Sequence, residues 1–163
     1  MLTAPPAGAN TSLNFDGTTK YLEAGTLNLS NSSFTLECWV KPTSFKTMSP
    51  FISRLLGMED GGSNTCLLRL GDGGLDANAV QFVAQLGTTT RKLNSVARLT
   101  AGQWAHLAAT CDGATMRLYV NGVLDNSLAA TGGVVANAPF SLARNYALLR
   151  AASTRPGSGP HGR

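Results

Sequence analysis

The chain has 163 residues, 43% of them hydrophobic and 13% charged, enough for one well-cored domain and too few for two of ordinary size. No uninterrupted apolar stretch nears the roughly 20 residues of a membrane-spanning helix, so membrane insertion is not expected. Formal net charge is +4, but Arg150, Arg155 and Arg163 account for three of those charges and residues 1–146 carry only +1, so no nucleic-acid partner is expected.

The opening MLTAPPAGANTS lacks the charged leader and apolar core of a signal peptide. Residues 1–11 are read as a linker, and the chain as a piece of a larger protein. From residue 12 the hydrophobic period is two almost everywhere. SLNF and KYLEA flank an Asp16-Gly17 turn. Residues 33–41 alternate strictly, with Phe34, Leu36, Cys38 and Val40 on one face and Thr35, Glu37, Trp39 and Lys41 on the other. Further strands are predicted over 49–55, 65–70, 79–86 and 89–94. HLAATC then meets TMRLYV across Asp112-Gly113, and TMRLYV meets VLDNSLAA across Asn121-Gly122, a pair suited to the φ > 0 turn of a two-residue hairpin. A last strand is predicted over 139–143. No segment carries a capped helical stripe, and there is no internal repeat. About ten short strands predict an all-β, two-sheet antiparallel sandwich or jelly roll.

These pieces, in this order, resemble the laminin G-like domain of the concanavalin A-like lectin/glucanase jelly rolls. The resemblance rests on LNFDGTTKYLEAG (13–25), SFTLECWVKP (33–42), ISR (52–54), LTAGQWAHLAATCDGATMRLYVNGVL (99–124) and FSLARN (140–145), and covers residues 12–146. It implies two curved sheets packed face to face, with rim loops that hold calcium and bind glycans or proteins. The tail, 147–163, departs from the pattern. A final strand resembling Gly-Leu-Ile-Asp-Glu-Val-Arg-Ile-Trp is expected there, but the chain reads ALLRAASTRPGSGPHGR, whose composition suits disorder. Reading the codons of Ala151–Gly159 one base early can spell Gly-Gly-Ile-Asp-Glu-Ala-Arg-Val-Trp, so the tail is read as a frameshift product.

Catalysis is not expected. The hydrolases that share this fold carry acids alternating along one strand, aimed at a single glycosidic bond. Here the nine acids sit mostly in Gly-containing turns, and Glu37 is alone on its strand. His106 is read as a structural residue of its strand, and Trp104 and Tyr119 likewise, because they fall at packed positions of the resembled pattern. Cys38, Cys66 and Cys111 are odd in number and lack metal-ligand spacing; one disulfide with one spare thiol is open, without a choice of pair.

Calcium is the best cofactor candidate, since acidic Gly-rich loops supply oxygen ligands. MEDGGSN (58–64) offers Asp60 and Asn64, GDGGLDAN (71–78) offers Asp72 and Asp76, and FDGTTKY offers Asp16, although Asp, Asn and Gly also populate turns for backbone reasons alone. A sugar ring would stack on an exposed aromatic, for which Tyr21, Trp39 and Tyr146 are the candidates, packing being the alternative for Trp39. The reading is therefore a non-catalytic extracellular recognition module for a carbohydrate or protein partner. A ligand-free structural spacer and a degenerate glycoside hydrolase are the alternatives.

Overall fold

The structure, a computed structural model, describes residues 12–29, 33–48, 52–59, 65–135 and 137–144. Ten strands follow in chain order: β1 (Leu22–Asn28), β2 (Phe34–Val40), β3 (Ser53–Met58), β4 (Cys66–Asp72), β5 (Leu75–Leu86), β6 (Thr89–Arg98), β7 (Ala105–Cys111), β8 (Thr115–Val120), β9 (Val123–Ala129) and β10 (Asn137–Leu142). Six form one antiparallel sheet in the order β1-β10-β3-β4-β5-β6, and four form a second in the order β2-β7-β8-β9. The all-β, two-sheet jelly-roll expectation is met.

Alternation decides which side chains meet between the sheets. Leu68, Leu70, Phe82, Ala84 and Leu93 come from the larger sheet, and Leu36, Leu107, Ala109, Met116 and Leu118 from the smaller. Phe34 stands edge-on to Phe82, ring centroids 6.0 Å apart, which joins the layers at one aromatic contact. At the far side β6 packs over β9 and β8. There the Asp125 carboxylate accepts the backbone N–H groups of Val96 (2.7 Å) and Ala97 (2.9 Å), and Asn126 donates to the carbonyl of Asn94 at 2.9 Å.

The hairpin expected at Asn121-Gly122 forms, with φ of 52° and 78°. So does the Asp112-Gly113 turn, where Asp112 accepts the N–H groups of Ala114 and Thr115. Three expectations change. SLNF is not a strand, because no neighbour pairs with it among the described residues, and β1 begins only at Leu22. The strand expected over 49–55 runs instead over Ser53–Met58, with residues 49–51 outside the described ones. GDGGLDAN is not an open loop. Gly73-Gly74 turns the chain so tightly that β5 starts at Leu75 and takes in Asp76 and Asn78.

All three cysteines are free thiols, so the open disulfide question closes without a bridge. Cys66 and Cys111 are core residues, and burial pushes the Cys38 thiol up to about 12, with Glu37 adding to the rise.

Gly57 carries a close backbone approach in the larger sheet. Its φ is 139°, and a Cβ there would lie 2.4 Å from both the Cys66 carbonyl oxygen and Leu67 Cα. Both obstacles are backbone and cannot rotate away. Gly57→Ala is expected to lower the unfolding free energy by about 2–4 kcal/mol in urea titration. Gly74→Ala, with nothing within 4 Å of its Cβ position, is expected to stay within about 0.5 kcal/mol of the parent.

Candidate functional site

The face of the six-stranded sheet that points away from the core is where polar chemistry gathers. Strand alternation that sends Leu68 and Leu70 inward sends Leu67 and Arg69 outward, and Gln81, Val83 and Gln85 leave β5 on the same side. The register aligns Arg54, Arg69, Gln81 and Asn94 in one row across β3, β4, β5 and β6. Three strand spacings make that row about 14 Å long, the reach of a short oligosaccharide. Register shifts between β3 and β4, β4 and β5, and β5 and β6 bend the sheet. Gln81 is only 2% exposed and Leu67 and Val83 each 3%, although no second layer covers this face among the described residues.

Hydrogen bonds tie the row into one network. Gln81 donates through Nε2 to Asn94 Oδ1 at 2.7 Å, and its Oε1 accepts both Nε (2.8 Å) and Nη2 (2.5 Å) of Arg69. Arg69 Nη2 reaches Asp72 Oδ2 at 2.9 Å, and Lys92 Nζ meets the same oxygen at 2.7 Å. Burial pushes the Asp72 carboxyl up, but Lys92, the Gly73 N–H and Arg69 outweigh it and bring it down to about 2. Toward β10, Arg54 pairs with Glu59 and Arg144 with Glu23. Four cations thus face three carboxylates, a near-balanced surface of fixed donors and acceptors. Such a surface suits hydroxyl-rich neutral ligands better than polyanions.

The residues expected from sequence are distributed differently. Asp72 belongs to this network, at its rim. Asp76 is ion-paired with Arg98 at 2.9 Å. Asp16 Oδ1 accepts the N–H groups of Lys20, Thr19 and Thr18, which with the Thr19 hydroxyl hold its carboxyl well below the usual range. No three His, Cys, Asp or Glu side chains converge on a common point among the described residues, and Asp60, Asn64 and Tyr146 lie outside them. Tyr21 is exposed at the β1 edge, with the Arg144 guanidinium 5.0 Å from its ring centroid.

Trp39 occupies the outer face of the opposite sheet, half-buried against His106 with ring centroids 5.2 Å apart. Glu37 lies 3.9 Å from His106 Nε2, and His106 Nδ1 has no hydrogen-bond partner among the described residues. Trp104, expected to be packed, is instead 39% exposed just ahead of β7. Arg54, Arg69, Gln81, Lys92 and Asn94 were not singled out from the sequence. Their signal was a lone Arg in CLLRLGD and paired glutamines in VQFVAQL, polar residues at outward positions of otherwise apolar strands.

The profile of the concanavalin A-like lectin/glucanases superfamily matches residues 16–157. The chain belongs to this superfamily. Among solved structures, this superfamily member is similar to domain 4 of AbnA, an extracellular arabinanase of Geobacillus stearothermophilus in complex with arabinotriose. That likeness has 27% identity and a TM-score of 0.55, over 74% of this chain and 55% of that one. It is also similar to a putative carbohydrate-binding protein of Bacteroides ovatus, with 20% identity and a TM-score of 0.57, over 75% of this chain and 34% of that one. The chain therefore spans about half the length of the first and a third of the second. No curated protein sequence matches it. Among the described residues no helix is long and apolar enough to cross a membrane.

The Asp72 contacts make a pH test available. Its carboxyl titrates lower when folded than the ordinary 3.8, so its contribution is fully present above pH 4 and fades as pH falls toward 2. Asp72→Asn is expected to cost about 1 kcal/mol at pH 7, allowing for solvent screening. The gap between variant and parent should shrink steadily below pH 4 in denaturant titrations.

Proposed function

We propose that the chain is a non-catalytic recognition module of an extracellular protein, and that it holds a glycan against the outer face of the six-stranded sheet. The observation that carries this reading is the continuous network Asn94–Gln81–Arg69–Asp72–Lys92, built on rigid strands and already oriented without ligand. Pre-set donors and acceptors cost little ordering entropy on binding, which weakly bound sugars need. The arabinotriose complex of the Geobacillus relative, at 27% identity, makes an arabino-oligosaccharide the first probe.

The carboxylates support binding over hydrolysis. Glycosidase chemistry needs one carboxylic acid kept protonated and a second facing the same bond. Here Glu23, Glu59, Asp72, Asp76 and Asp112 pair with arginines, Asp16 and Asp125 accept backbone amides, and Glu37 stands exposed beside His106. The resolved shifts of Asp16, Asp72 and Asp112 are all downward, the wrong direction for a proton donor at neutral pH.

Calorimetric titration with arabinotriose, backed by a glycan array, tests the reading. Arg69→Ala and Gln81→Leu are each expected to weaken binding at least tenfold, about 1.4 kcal/mol, while Trp39→Ala on the opposite sheet leaves it unchanged. Loss of binding in Trp39→Ala alone would move the site to the four-stranded sheet, and no binding to any glycan would leave a spacer domain. Calcium enters the proposal through the 58–64 stretch with Asp60 and Asn64. Repeating the titration in millimolar calcium and in EDTA decides its part: a tenfold loss in EDTA assigns one, and equal affinities remove it.

A further inference from the structure

Both tryptophans of the chain, Trp39 and Trp104, come to one place, the face of the four-stranded sheet that points away from the core. The alternation that sends Val40, Ala105 and Leu107 inward sends Trp39, Trp104 and His106 outward. Register sets Trp39 opposite His106, and in the next row Glu37, Ala108, Tyr119 and Leu124 stand side by side across β2, β7, β8 and β9. Trp104 and Leu124 are exposed, while Trp39, His106 and Tyr119 are half-buried. Ala108 lies at the centre of this row. With only a methyl group there, the surface dips between Glu37 and Tyr119, two strand spacings or about 10 Å apart.

Size and charge decide what fits this dish. From Trp104 to Ala108 and from β2 to β9 it measures about 14 by 14 Å, roughly 200 Å², a quarter of the about 800 Å² that each partner brings to a standard protein interface. Of the charges around it, Arg117 is held by Asp112 at 2.6 Å, and Glu37 and Lys41 are opposite in sign. A small, neutral, flat ligand therefore suits it better than a folded protein or a polyion. Indole and phenol rings stack on the C–H face of a pyranose whose hydroxyls are equatorial. Glu37 Oε2 lies 3.9 Å from His106 Nε2, too far for a direct hydrogen bond. A sugar hydroxyl seated between them can donate to the carboxylate and accept from the imidazole N–H. The six-stranded sheet offers Arg69, Gln81 and Asn94 instead, so the two faces select by different means.

We propose that the outer face of the four-stranded sheet is a second glycan site, for a chain of flat, equatorially substituted pyranose units. One module then holds two chemically different polysaccharide strands on opposite sides. The site shares no residue with the first and does not rest on it.

Tryptophan emission reports on this face alone, because both tryptophans stand on it. Cellotetraose, a flat β-linked pyranose chain, is expected to shift the emission of the full chain to shorter wavelength as stacking removes water from the indoles. Arabinotriose, followed by calorimetry, is expected to leave the emission unchanged. Trp104→Ala and Glu37→Ala, both at exposed positions, should keep the parent's melting temperature and weaken cellotetraose binding by at least tenfold and about threefold. Trp104→Tyr, which keeps a ring, should restore most of the affinity, and Arg69→Ala should leave it unchanged. An emission that cellotetraose does not move overturns the proposal. So does a folded Trp104→Ala or Glu37→Ala that binds as the parent does. Loss of cellotetraose binding in Arg69→Ala also overturns it, by putting the pyranose chain on the six-stranded sheet. Failure of arabinotriose alone sinks only the first site, and failure of cellotetraose alone sinks only the second.

Discussion

The Asp125 carboxylate sets the relation between the two sheets. By accepting two successive amides of β6 from its place on β9, it clamps the outermost strand of one layer to the outermost strand of the other. An acceptor of two N–H groups fixes position as well as distance, because both bonds cannot be kept if the layers slide. With that edge pinned, the six described strands of one sheet extend past the four described strands of the other at the opposite edge. The burial of β4 and β5 and the exposure of β1 follow from the same clamp.

The same alternation serves two purposes in β4 and β5. One face supplies Leu68, Leu70 and Phe82 to the core, and the other supplies Arg69 and Gln81 to the outer network. A core packed on one side keeps the strands rigid, so the polar row on the other is held at fixed spacing. Charge is managed in pairs, and almost every described carboxylate is spent on an arginine, a lysine or a backbone amide. That leaves a surface able to offer directional hydrogen bonds but poor in groups that could exchange a proton with a substrate.

Most of the fold was legible because strand period and turn chemistry are local. The alternation of 33–41 and the Asn121-Gly122 and Asp112-Gly113 turns needed no tertiary information. SLNF misled because a period of two shows that a segment could be a strand, while a partner decides whether it is one. The outer network was hidden for a related reason. Arg69, Gln81 and Asn94 are far apart in sequence and meet only through register, which alternation does not specify across three strands. Acidic Gly-rich stretches drew notice instead, and of the described ones Asp16 is taken up by its own turn and Asp72 by its neighbours' cations.

The free thiols carry a consequence for how the domain is made. Cys66 and Cys111 face the interior from opposite sheets, where they fill space as small apolar groups. No covalent crosslink therefore joins the layers at these cysteines, and packing and the hydrogen bonds between β6 and β9 hold them together. Folding then requires neither an oxidant nor a disulfide isomerase, and the finished domain is indifferent to reductant. A module of this kind can be moved between host proteins, and between compartments of opposite redox character, without redesign of its interior.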